Sequence, residues 1–135
     1  MKRKNIISWF LQIVAALILL QTLYFKFSGH PESVELFSKL HAEPWGRIGT
    51  GILELITSLL LLMPRFRTLG ALMAAGTMAG AIASHLLVIG IESKGDGGQL
   101  FGLAVFVFAC ATTILVLNRT ELSAWFKKLI PQKKI

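Results

Sequence analysis

The chain has 135 residues, of which 54% are hydrophobic, and a mean hydropathy of +0.67; it is too short for two ordinary domains and too apolar for a soluble one. Its net charge of +7 comes from 14 Lys and Arg against 7 Asp and Glu. These basic residues flank apolar runs instead of sharing a polar, aromatic-bearing surface, which excludes nucleic acid and makes a lipid bilayer the expected partner. A single transmembrane domain over residues 1–135 is the resulting expectation.

Four runs approach the ~20 residues needed to cross a hydrocarbon core, at about 6–25, 46–63, 68–91 and 98–117. Helices are expected, because in lipid every backbone group needs an internal partner and the runs lack the alternation of a barrel strand. The first run follows Lys2-Arg3-Lys4 but precedes no small-x-small cleavage site, so it reads as a retained span. Ten Lys and Arg residues flank one side of the four runs (Lys2, Arg3, Lys4, Arg65, Arg67, Arg119, Lys127, Lys128, Lys133, Lys134) and four flank the other (Lys26, Lys39, Arg47, Lys94). That asymmetry predicts both termini and the second connection on the cytoplasmic side.

The only long connection, Lys26 to Trp45, contains a short helix opening at Pro31, with Glu32 and Glu35 near its N-terminal end. Val34, Phe37 and Leu40 share one side of it, suited either to the outer membrane surface or to covering the bundle mouth. Met63-Pro64-Arg65-Phe66-Arg67 makes a tight turn and therefore an antiparallel hairpin of the second and third spans. In the third span Gly76-x-x-x-Gly80-x-x-x-Ser84 and Ala71, Ala75, Ala79, Ala83 form small-residue stripes, expected to pack helices closely. Asp96, three residues before Gln99, is read as a structural cap of the fourth span. Thr120 is expected to cap an amphipathic C-terminal helix, about 121–130, lying along the inner leaflet. The fold class is thus all-α: an integral membrane four-helix antiparallel bundle with a short outer-loop helix and an amphipathic C-terminal helix.

Glu54 stands near the middle of the second run, where an acidic residue facing lipid costs about 3 kcal/mol on translocon scales and so is expected to face inward. At 1.5 Å rise per residue, Glu54 lies ~12 Å and His85 ~9 Å below the outer boundary, in one layer. Lys26 can bend in from the end of the first span, and Gln99 starts the fourth near the same mouth. Tyr24 and Gln21 extend this polar patch, while Gln12, deeper in the other half, is expected to join helices. A Lys26–Glu54 ion pair of purely structural role explains the carboxylate as well as a ligand site does. Cys110 is alone, which rules out an intrachain disulfide, and no metal is assigned, since only His30 and His41 of the loop accompany His85.

Tyr24-Phe25-Lys26-Phe27, Glu54 within Gly51-Ile-Leu-Glu-Leu, Gly80-Ala-Ile-Ala-Ser-His85-Leu and Asp96-Gly-Gly-x-Leu-Phe101 together resemble the DoxX family of small four-helix bacterial membrane proteins. The resemblance covers about residues 6–117. It implies a bacterial inner-membrane location and an association with membrane redox complexes, whose members include a subunit of a thiosulfate:quinone oxidoreductase.

On this basis the expected function is a membrane subunit with a polar pocket that binds a small, partly apolar molecule, a quinone by family resemblance. Lys26, Glu54, His85, Gln99 and Tyr24 are its ligand-binding or proton-relay candidates. The competing readings are a proton-coupled small-molecule carrier and a non-catalytic scaffold for a partner protein. A redox partner protein and a homo-oligomer are compatible with all three, and no catalytic residue is assigned. A fluorescent protein fused to the C-terminus is expected to fluoresce in cells, whereas alkaline phosphatase at the same position stays inactive; the reverse pattern overturns the topology.

Overall fold

A computed structural model describes residues 2–92 and 95–130. Lys94, Lys133 and Lys134 of the charge count lie outside the described residues. The elements are α1 (Lys2–Phe27), α2 (Pro31–Lys39), α3 (Trp45–Leu62), a 3-10 turn (Pro64–Phe66), α4 (Arg67–Ser84), a π-helical turn (His85–Ile89), α5 (Gln99–Leu117) and α6 (Arg119–Leu129). The described residues contain no strand, and four helical segments are long and apolar enough to cross a membrane. The all-α membrane bundle is therefore the fold. α1 packs on α3 and α5, and α4 packs on the other side of both, so the four long helices close into a ring.

The bundle is apolar outside and partly polar inside, as lipid requires. On α3 the buried line is Arg47, Gly51, Glu54, Ser58 and Leu61, spaced by three and four residues, while Ile48, Ile52, Leu55, Ile56 and Leu59 face outward. Such a line stays on one side of a 3.6-residue helix. The centre is built from small side chains, with Ala15, Ala16, Ala71, Ala74 and Ala111 all fully buried, so the backbones approach closely where the hydrophobic effect supplies no drive.

The two expected packing stripes on α4 hold only near its start, where Ala71 is buried and Ala75 packs against the core. Gly76, Ala79, Gly80 and Ala83 are exposed, and the packed line runs instead through Ala71, Ala74, Met78 and His85. A strict four-residue spacing turns about 40° further around the helix at each step, so a long stripe of that kind leaves the interface. The third span also does not stay α-helical to Ile91. It widens into the π turn, where the Gly90 N–H donates to the His85 carbonyl at 2.7 Å and Gly90 takes φ +88°, a conformation that glycine adopts without strain.

At the end of the bundle that carries α6, hydrogen bonds tie three helices together. The Leu61 carbonyl belongs to the last turn of α3, where intrahelical donors run out, and the buried Gln12 amide donates to that carbonyl at 2.7 Å. Ser8 donates to Gln12 at 2.9 Å, and Asn118 donates to Ser8 at 3.1 Å and to the Ile114 carbonyl at 2.8 Å. Asn118, not Thr120, is the residue from which α6 starts, and its amide is turned into the bundle. Thr68 and Arg67 donate to Glu121, and the Arg67 hydrogen bond holds the Glu121 carboxyl below the usual carboxylate range. α6 is thereby fixed over the start of α4, and Leu122, Trp125, Phe126 and Leu129 line a shallow apolar groove with Leu69 and Leu72.

Gly70 sets how closely α3 and α4 meet near their turn, because a Cβ there would stand 2.8 Å from the Leu61 backbone nitrogen. Gly70→Ala is expected to lower the thermal midpoint in detergent, at a cost of about 1–3 kcal/mol for the forced separation. Gly76→Ala, which meets nothing within 4 Å, should be neutral or stabilising by up to ~1 kcal/mol through helix propensity. Equal midpoints for the two variants would contradict the close approach.

Candidate functional site

The opposite end, which carries α2, is organised by α1 and α3. Gly51 lets the helices meet there, since a Cβ on it would fall 2.8 Å from the Phe27 ring. Three residues further along α3, the buried Glu54 carboxylate faces α1, and Lys26 Nζ lies 2.9 Å from Oε2 and 3.1 Å from Oε1. The Thr22 hydroxyl, one turn before Lys26, is 3.0 Å from Oε2 and 2.7 Å from the Leu19 carbonyl. Its single proton serves one of these acceptors at a time.

Lys26 is held at its main chain as well. Arg47, itself buried, pairs with Glu43, its Nε donating at 2.9 Å to Oε1 and 3.0 Å to Oε2, and its Nη1 donates to the Lys26 carbonyl. That carbonyl belongs to the last turn of α1, where no intrahelical partner remains. The Arg47–Glu43 and Lys26–Glu54 pairs thus fasten both ends of one residue.

His85 is buried at the start of the π turn, with its ring edge-on to Phe101 at 5.7 Å. Its Nδ1 is 2.9 Å from the Gly90 carbonyl. A carbonyl only accepts, so Nδ1 carries hydrogen, and in the neutral ring Nε2 is left as an acceptor. No hydrogen bond joins His85 to Glu54 or to Ser84, whose hydroxyl donates to Gly80 instead. On the far side, the Asp96 carboxylate accepts from the Gly98 N–H at 2.8 Å and the Leu100 N–H at 3.1 Å, satisfying donors at the start of α5.

These groups surround a cavity of about 550 Å3, inside the range of small-molecule sites. Lys26, Glu54, His85, Asp96 and Gln99 all line it. Most of the remaining wall is apolar, including Leu19, Met78, Leu103 and Val107. α2 lies across the mouth, contributing Ser33, Leu36 and Phe37 to the wall, with Leu40 just beyond its end. Tyr24 is not part of the wall: it is 70% exposed on the outside of α1, with its ring edge-on to Phe25. Among the described residues no group of three His, Cys, Asp or Glu side chains is arranged to hold a metal ion.

The model of the DoxX-like family matches residues 10–116, from the third turn of α1 to the last turn of α5. The chain belongs to the DoxX-like family. Comparison with curated proteins and with solved structures returned no match. It is accordingly a small multi-pass membrane protein, and the matched span contains every residue of this DoxX-like cavity.

Thr22, Glu43, Arg47 and Gly51 are parts of the site that the sequence pattern did not single out. Signals were present: Thr22 stands one helical turn before Lys26, and Arg47 and Gly51 fall on the same three- and four-residue line as Glu54. A buried pair broken on one side leaves an uncompensated charge, at a cost of about 3–5 kcal/mol, less where a partner keeps some solvent. Lys26→Met and Glu54→Leu are each expected to lower the thermal midpoint more than the double variant Lys26→Met/Glu54→Leu does. Additive losses in that cycle would show that the two side chains do not act as a pair.

Proposed function

We propose that this cavity binds a small amphiphile drawn from the bilayer, of the isoprenoid quinone class, and that the chain is a quinone-binding membrane subunit. The observation that carries this reading is the convergence of an ammonium and an imidazole on one largely apolar cavity in a bundle that otherwise fills its core with alanine. The dimensions suit a substituted six-membered ring, and the polar groups suit its two oxygens.

The ammonium of Lys26 has three N–H donors, and its contacts with Glu54 occupy the side facing α3. Its side chain keeps 15% exposure, so a donor remains for a carbonyl oxygen. His85 Nε2 accepts from a hydroxyl while the ring is neutral and donates to a carbonyl once it is protonated. Glu54 keeps Lys26 charged and in place, and Gln99 offers an amide at the entrance. A bound quinone would supply a carrier of two electrons and two protons; this chain's residues bind it, orient it and exchange a proton at His85 Nε2.

We also assign the protein to the bacterial inner membrane, with the α2 end outward and both termini cytoplasmic. The support is that Arg3, Lys4, Arg65, Arg67, Arg119, Lys127 and Lys128 gather at the α6 end.

The test uses purified protein in nanodiscs. An isoprenoid quinone is expected to raise the thermal midpoint of the wild type, and His85→Ala, measured against its own ligand-free midpoint, should lose at least half of that shift. The reading is untenable if quinones leave the wild-type midpoint unchanged and native mass spectrometry finds no co-purifying isoprenoid.

A further inference from the structure

The α3–α4 hairpin is tight at one end and open at the other. Near the turn, Gly70 brings α4 against the backbone of Leu60 and Leu61. Two to three turns further along α4, Gly76 and Gly80 face open space, with nothing within 4 Å of a Cβ at either position. At 3.6 residues per turn, Thr77 and Ser84 share the α3-facing side with Gly70, and Gly80 sits on the adjoining lipid flank. Thr50 and Leu53 occupy the matching side of α3 by the same rule. Thr50, Leu53, Thr77, Gly80 and Ser84 all line the cavity, yet Leu53 is 40% exposed and Gly80 is exposed too. A cavity wall that keeps this much exposure, with nothing within 4 Å of a Cβ at position 80, is open at that point.

We infer that the α3–α4 cleft at Leu53 and Gly80 is a lateral port through which the cavity takes its ligand from the bilayer, the ligand's single apolar tail staying in the cleft while its polar head reaches Lys26 and His85. This rests on the quinone-binding reading and adds a class to it: the ligand carries one flexible hydrocarbon chain. The wedge explains the chemistry of both helices. Glycine at position 80 removes the side chain that would floor the cleft, and Leu53 gives it an apolar wall. Thr50, Thr77 and Ser84 spend their hydroxyls on the carbonyls of Gly46, Met73 and Gly80 within their own helices, leaving no unsatisfied donor to repel a hydrocarbon chain. α2, meanwhile, covers the mouth at the end of the bundle, so the side cleft is the approach open to a molecule dissolved in lipid.

Trp45 lines the cavity and is otherwise largely exposed, so quenching of its fluorescence reads quinone binding. Two probes are compared in detergent: a quinone bearing one isoprenoid tail and the same ring without a tail. With both probes expressed as mole fractions in the micelle, the wild type should bind the tailed probe several-fold more tightly through van der Waals packing of the tail along the cleft, since passage from micelle to cleft carries no hydrophobic gain. Gly80→Phe, which fills the cleft, should abolish that advantage, so that the two probes bind the variant with equal affinity. Gly76→Phe, on the same helix but outside the cavity wall, should keep the advantage. Gly80→Leu replaces Gly80→Phe if the larger ring lowers the thermal midpoint.

A tail advantage that survives in a folded Gly80 variant, or that is missing from the wild type, overturns the lateral port while leaving the pocket standing. Loss of the bare ring along with the tail from a folded Gly80 variant overturns it as well. Binding of neither probe to the wild type overturns the pocket and the port together.

Discussion

A carboxylate in the middle of a membrane helix has to be neutralised from within the protein, and this structure does so with Lys26 reaching from α1 to Glu54 on α3. Much else at that end of the bundle follows from this pair. Gly51 removes the side chain that would keep α1 from α3, and Thr22 adds a third polar contact to the carboxylate. Arg47, held by Glu43, fastens the last turn of α1 through the Lys26 carbonyl. A charge placed in lipid is expensive, whereas a carboxylate met by Lys26 and Thr22 of the facing helix ties the rotation of α3 to that of α1.

The two ends of the bundle solve the same problem differently. At the α6 end the polar groups inside the bundle are neutral amides and hydroxyls, with the Arg67–Glu121 ion pair at the surface: Gln12 donates to the Leu61 carbonyl in the last turn of α3, and Ser8 and Asn118 complete the chain of bonds. The packing there is tight, with alanines fully buried and Gly70 against the Leu61 backbone. At the α2 end the helices diverge around a cavity, and the polar groups are ionic or titratable. A rigid end and an open end suit a protein that anchors its helices on one side of the membrane and receives a ligand near the other. α4 carries this contrast along its own length, from its packed first turns to the π turn that sets His85 at the cavity wall. π-helical turns are frequent at functional sites, and this one closes the third span.

Sequence alone determined the number of spanning helices, their antiparallel order and the charge asymmetry, because apolar length, proline-bearing turns and flanking cations are local properties of the chain. It also marked Lys26, Glu54, His85 and Gln99 as polar residues near one level, since depth follows from counting at a fixed rise. What the tertiary structure decided is rotation. Whether a side chain at a known depth points inward depends on the partner helix, so Tyr24 turned out to face away from the cavity and Gly76 and Gly80 to stand on an open face. The same dependence hid Thr22, Arg47 and Gly51, which are ordinary residues until α1 and α3 are brought together. Hydrogen-bond commitments were likewise out of reach: only the folded chain shows His85 bonded to Gly90 instead of Glu54, because that contact requires the π turn.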